Sequence, residues 1–119
     1  MSVYRFRAWD SNANKMIYNA AVQNGQYVDR ETGRTHPYPI MQSTGIKDVN
    51  GKEIYERDVV IKKGSKRKIR ADVAITPDGV YMFADNDQVY DFRGFVNSEL
   101  IVIGNVYEKP WIIKRGDDV

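Results

Sequence analysis

Ile69-Arg70-Ala71-Asp72-Val73-Ala74-Ile75-Thr76-Pro77-Asp78-Gly79-Val80-Tyr81-Met82-Phe83 is the stretch that decides the fold class. Ile69, Ala71, Val73 and Ile75 alternate with Arg70, Asp72 and Ala74. A strand sends successive side chains to opposite faces, so this period of two predicts a half-buried strand. Pro77-Asp78-Gly79 turns the chain, because proline presets φ and glycine accepts φ > 0. Val80 to Phe83 returns as a second strand of β-branched and aromatic residues.

Working outward toward the C-terminus, Asp85-Asn86-Asp87 is a further turn and Val89-Tyr90-Asp91-Phe92 a short strand. Arg93 to Glu99 is a connector with room for one helical turn. Leu100 to Glu108 is the last long strand, ended by Pro110, and Gly104-Asn105 within it predicts a bulge. Toward the N-terminus, Val59-Val60-Ile61-Lys62 is a strand preceded by a connector over Glu53 to Asp58. Asp48-Val49-Asn50-Gly51 is a tight turn, and Ile40 to Thr44 another strand. Residues 21–39 carry turn signals at Asn24-Gly25 and Thr32-Gly33, and two prolines in His36-Pro37-Tyr38-Pro39. They predict a loop region with at most one short strand, Gln26 to Val28. In residues 3–20, Tyr4, Phe6 and Ala8 alternate with Arg5 and Arg7 before the polar turn Asp10 to Asn14, and Lys15-Met16-Ile17-Tyr18 closes a hairpin. No stretch shows sustained helical periodicity. Many short strands in a small chain predict a mostly β barrel or roll.

The chain has 119 residues, the size of one domain. It has no cysteine, which excludes a disulfide scaffold, a thiolate zinc site and a thiol nucleophile. Charges at Arg5 and Arg7 interrupt the start where a signal peptide has its apolar core. The longest apolar run, Leu100 to Ile103, is far short of the ~20 residues that span a bilayer. A soluble cytoplasmic protein with no membrane partner is expected.

Enzyme chemistry finds little support. His36 is the only histidine, set between Thr35 and Pro37. There is no Gly-x-Ser-x-Gly elbow and no glycine-rich phosphate loop. Asp48 to Glu53 has spaced oxygens but lacks the length and sixth-position glycine of a calcium loop. Asp85 and Asp87 suit a magnesium–phosphate site or a hydrophilic hairpin tip. The expectation is a non-enzyme without cofactor, metal or catalytic residues.

The net charge of +2 names no partner, but its distribution is uneven. Lys62, Lys63, Lys66, Arg67, Lys68 and Arg70 lie in one nine-residue stretch without an acid; removing these 6 from 18 bases leaves 12 against 16 acids, or −4. On a hairpin tip these six are candidate phosphate contacts, with Tyr81, Phe83, Tyr90 and Phe92 as a stacking surface if they share an exposed face. Lysines beside an edge strand also discourage sheet aggregation.

Three stretches carry a family resemblance. Phe6-Arg7-Ala8-Trp9-Asp10 is followed by Lys15-Met16. Met41-Gln42-Ser43-Thr44-Gly45-Ile46-Lys47-Asp48 runs through Asn50-Gly51-Lys52-Glu53-Ile54-Tyr55-Glu56 to Asp58-Val59-Val60. Val102-Ile103-Gly104-Asn105-Val106-Tyr107-Glu108 precedes Pro110. In this order they resemble the YopX family of small bacteriophage and prophage proteins. The family usually has an aromatic where Ser43 stands and a glycine where Arg57 stands. The resemblance implies a single domain: an SH3-like small barrel or roll over about 40–109, an added N-terminal hairpin over about 3–20, a variable region over 21–39 and a tail over 110–119. It implies a bacterial host but no activity. Three functions stay open: an adaptor for a host or phage protein, a nucleic-acid binder acting through residues 62–70, and a homo-oligomer joined through Trp111, Ile112 and Ile113.

Overall fold

The computed structural model describes residues 5–64, 70–84, 88–91 and 99–112. Among them the regular elements are strands, with 3-10 turns at Glu99 and at Pro110–Ile112. The chain divides into two compact units, Met1–Ser43 and Thr44–Val119.

In the first unit, β1 (Phe6–Asp10) and β2 (Lys15–Tyr18) form the expected hairpin, with Asp10 opposite Lys15. The Asp10 carboxylate closes the turn by accepting the Asn12 and Ala13 amides at 2.9 and 3.0 Å. Asn14 takes φ 52°, a left-handed conformation that asparagine tolerates. On its other side β1 pairs with β6 (Ile40–Lys47), Arg7 facing Met41. Arg7 was expected on the polar face and is instead buried, its Nε donating to Met41 Sδ at 3.3 Å. Arg7 and its neighbour Ala8 point to opposite faces and are both buried, so the alternation of β1 does not mark solvent.

Residues 21–39 are more ordered than the loop expected. Three short strands, β3 (Ala21–Gln23), β4 (Gln26–Val28) and β5 (Thr35–His36), make an antiparallel sheet in that order. Asn24 and Gly25 have φ 53° and 77°, the paired positive values of a two-residue type I′ hairpin.

In the second unit, β7 (Glu53–Tyr55) lies along β6, so the first half of the expected connector is a strand. A five-stranded antiparallel sheet holds β8 (Asp58–Lys62), β9 (Ala71–Thr76), β10 (Gly79–Ala84), β11 (Val89–Asp91) and β12 (Leu100–Asn105), in the order β11-β10-β9-β8-β12. The stretch quoted first is the β9–β10 hairpin, Thr76 facing Gly79 across Pro77-Asp78. Ile54, Val60, Ala71, Val73, Met82, Ala84 and Leu100 form the core on one face. Across the other face runs the row Gly104–Val59–Asp72–Phe83–Val89. β12 ends at Asn105, short of the expected Glu108, because the Asn105 side-chain oxygen accepts the Tyr107 and Glu108 amides and turns the chain.

The bulge is where the glycine predicted it. Pairing of β12 with β8 slips between Val102 and Gly104, and Gly104 takes φ 157°. A Cβ there would lie 2.9 Å from Ile112 Cδ1 and 3.4 Å from Lys109 Cδ. Gly104→Val is expected to destabilise the fold by about 1–3 kcal/mol through backbone strain and displacement of Ile112. Thermal melting checks it, and an unchanged midpoint removes this account of the bulge.

The Asp48 turn ties β6, β7 and β12 together. Asp48 Oδ1 accepts the Asn50 and Lys52 amides at 2.9 and 2.8 Å, and Oδ2 accepts the Val102 amide at 2.9 Å. The Val49 amide donates to the Leu100 carbonyl at 2.9 Å. The oxygens that loosely suggested a calcium loop are therefore spent on backbone amides. Asp48→Ala strands three donors and is expected to lose about 2–5 kcal/mol in chemical denaturation. Asp48→Asn, which keeps an acceptor, loses less.

Candidate functional site

The corner Tyr55 to Asp58 shows what the buried acids do. Asp58 Oδ2 accepts the Tyr55 amide at 2.8 Å and so caps the turn. Arg57, between them, has φ 66°. It keeps the left-handed backbone for which a glycine is ordinarily used, at a strain of roughly 1–2 kcal/mol. Its Nη1 lies 2.6 Å from Asp72 Oδ2, with the arginine side chain 44% exposed and the aspartate 2%. Charge-assisted pairing to a buried carboxylate offsets the strain. Arg57→Gly is therefore expected to destabilise by about 1–3 kcal/mol despite glycine's freedom, since it leaves the Asp72 carboxylate without its guanidinium. Adding Asp72→Asn recovers part of the loss in a double-mutant cycle; a more stable Arg57→Gly protein would contradict the pairing's role.

The sequence-derived sites fare differently. Lys62, Lys63 and Arg70 are exposed at the base of the hairpin that joins β8 to β9. Lys66, Arg67 and Lys68 lie outside the described residues, as do Asp85, Asp87 and Phe92. The aromatic stacking surface is not assembled: Tyr90 faces Met82 and packs on the core, whereas Tyr81 and Phe83 are on the opposite face, both half-buried. At the tail, Trp111 is 69% exposed, Ile112 packs over Gly104, and Ile113 lies outside the described residues. Among the described residues no group of three His, Cys, Asp or Glu side chains is arranged to hold a metal. No helix of the described residues is long and apolar enough to cross a membrane.

The first unit holds a groove that sequence reading missed. Tyr18, at the end of β2, and Tyr27, in β4, stand among its walls. Ile17, Ala20 and Val28 give it an apolar lining, and Asp29, Arg30 and Glu31 also line it. It encloses about 330 Å³ and is half-open to solvent. Asn19, in the turn after β2, has φ 52° and redirects the chain into β3.

Neighbouring rings hold Tyr27 in place. Its register partner is His36, 6.1 Å away between ring centres, and Tyr38 lies 5.3 Å away. His36 and Tyr38 stack at 4.9 Å with planes 8° apart. The only histidine is thus part of an aromatic stack. The Tyr38 hydroxyl bonds to Asp10, whose carboxyl is held below its usual range chiefly by the Ala13 amide, against the opposing effect of desolvation. Burial pushes the Tyr27 hydroxyl above the usual tyrosine range. The negative charge of Asp29 adds to that, with smaller contributions from Tyr38 and Asp10, and Arg30 opposes them least of all. The loop after β4 is set by the Asp29 carboxylate accepting the Glu31 amide at 2.9 Å and by the Gly33 amide bonding to the Asp29 carbonyl at 2.7 Å. The Asn24-Gly25 hairpin brings β4 beside β3, and the Asn19 turn brings β3 on from β2. Those turn residues were the available signals, but only the pairing of three-residue strands places the two tyrosines on one groove.

Comparisons with known proteins agree with this architecture. The family model described as YopX protein matches residues 5–114. A solved structure, protein EF1440 from Enterococcus faecalis, is similar over 96% of this chain and 100% of its own, at 25% identity and a TM-score of 0.68. No curated protein matches.

Proposed function

Because this chain belongs to the YopX family, we propose that it is a non-enzymatic binding module: an SH3-like small barrel or roll with an added N-terminal hairpin region, serving a bacteriophage or prophage as an adaptor to a host or phage protein in the bacterial cytoplasm. The observation that carries the reading is the half-open groove bordered by Tyr18 and Tyr27. Tyrosine offers large contact area at low conformational entropy, and it recurs where one protein surface recognises another. Tyr27 is already fixed by Tyr38 and His36, so binding does not have to order it. The burial of Asp48, Asp58 and Asp72 in turns and pairs supports a framework role for these acids rather than acid–base work.

A second reading, nucleic-acid binding through Lys62, Lys63, Lys66, Arg67, Lys68 and Arg70, is favoured by the exposure of Lys62, Lys63 and Arg70 on one hairpin. A third, self-association through the tail, is favoured by the exposure of Trp111. One set of measurements separates them. An adaptor captures a defined protein from infected bacteria. That capture survives Lys66, Arg67 and Lys68 changed to glutamate, since these residues belong to the other unit from the groove. Binding of single-stranded DNA, duplex DNA or RNA that falls steeply with salt and is lost in that variant moves the function to the second reading. A concentration-dependent mass that drops on deleting residues 110–119 moves it to the third.

A further inference from the structure

We propose that the groove binds an extended segment of the partner protein through a lysine or arginine side chain, seated against the rings of Tyr18 and Tyr27 with Asp29 and Glu31 as countercharges. This rests on the adaptor reading and gives it a ligand chemistry. Four observations converge on it. First, the groove is half-open to solvent, whereas a pocket built for a free small molecule encloses most of its ligand. An open groove suits one side chain of a longer chain whose flanking backbone stays outside. Second, the faces of tyrosine rings attract cations, most strongly where water is partly excluded. Tyr18 is 50% exposed and so offers its ring to an incoming group. Third, the local charge is negative. Among the groove's lining residues Asp29 and Glu31 outnumber Arg30, and at the Tyr27 hydroxyl the influence of Asp29 exceeds that of Arg30. The same sign disfavours a phosphate or a nucleic acid in this groove. Fourth, the site is built before the ligand arrives. Tyr27 is packed on Tyr38, and the Asp29 carboxylate is anchored by the Glu31 amide.

The test uses the full chain and an acetylated, amidated decapeptide of glycine and serine with two adjacent arginines. Controls are the same peptide with two glutamates, and arginine amide alone. Amide NMR shifts locate the site and fluorescence anisotropy gives the affinity. The arginine peptide is expected to shift residues 17–21 and 27–31, and to bind at least tenfold more tightly than either control. Tyr18→Ala weakens it at least tenfold, as does the pair Asp29→Asn with Glu31→Gln; the carboxamide introduced by Asp29→Asn still offers an oxygen to the backbone amide two residues on, so the loop keeps its turn. The proposal is overturned if the glutamate peptide binds as well, if the shifts fall elsewhere, or if the variants bind unchanged. Arginine amide binding as tightly as the peptide also overturns it, in favour of a free small molecule. A captured partner that stays bound to the Tyr18→Ala protein leaves the adaptor reading standing and removes the groove from it. Capture of no partner by the wild-type chain removes the adaptor reading itself.

Discussion

The Asp48 carboxylate is the constraint on which the second unit depends. Its two oxygens meet three backbone amides, two in its own turn and one, Val102, 54 residues away in β12. Short strands have few ladder bonds, so their register is weakly set by pairing alone. A single acid that reads the turn between β6 and β7 and the middle of β12 together fixes both. The slip at Gly104 then lets β12 follow β8 past Val59, and Asn105 ends the strand. A chain without cysteine has no covalent staple, and buried acids take that part in it.

The same logic explains the Arg57 corner. Asp58 caps the turn, Arg57 carries the left-handed residue, and the Arg57 side chain neutralises Asp72 on the neighbouring strand. A glycine would supply the backbone freedom without the charge. Here the side chain compensates for its own strain by pairing with an acid that is 1% exposed. The two residues work as a unit, so neither is a simple match to the composition of its position.

Much of the fold was legible where one residue type dictates one backbone conformation. Pro77-Asp78-Gly79 marked a hairpin turn, Asn24-Gly25 marked a turn though not the strands it joins, and Gly104 marked the bulge. What stayed hidden has a common physical cause. Strands of two or three residues, such as β3, β4, β5 and β7, are too short for a period of two to register. Arg7 is buried although it alternates with the apolar Phe6 and Ala8, because both faces of β1 are covered at that point. The groove was invisible for the same reason: Tyr18 and Tyr27 are nine positions apart, and only pairing between short strands brings them together. The basic stretch was legible because it is contiguous, and its reach depends on residues beyond those described.

Two groups of acids among the described residues have opposite surroundings. Asp48 and Asp58 are buried with carboxylate oxygens on backbone amides, and Asp72 is buried with one oxygen on the Arg57 guanidinium, so their charge is directed inside the fold. Glu31 is exposed and Asp29 only half-buried, and both line a groove. Counting charges along the sequence merges these groups and returns near-neutrality. Separating them by burial leaves Asp29 and Glu31 beside Arg30 along the groove of the first unit, and Lys62, Lys63 and Arg70 exposed on β8 and β9 of the second. Field at the site of contact, not net charge, decides which ligands approach. Near-balance in the whole chain therefore says little about either place, and of the two it is the groove whose Tyr27 ring and Asp29 carboxylate are held by neighbouring contacts.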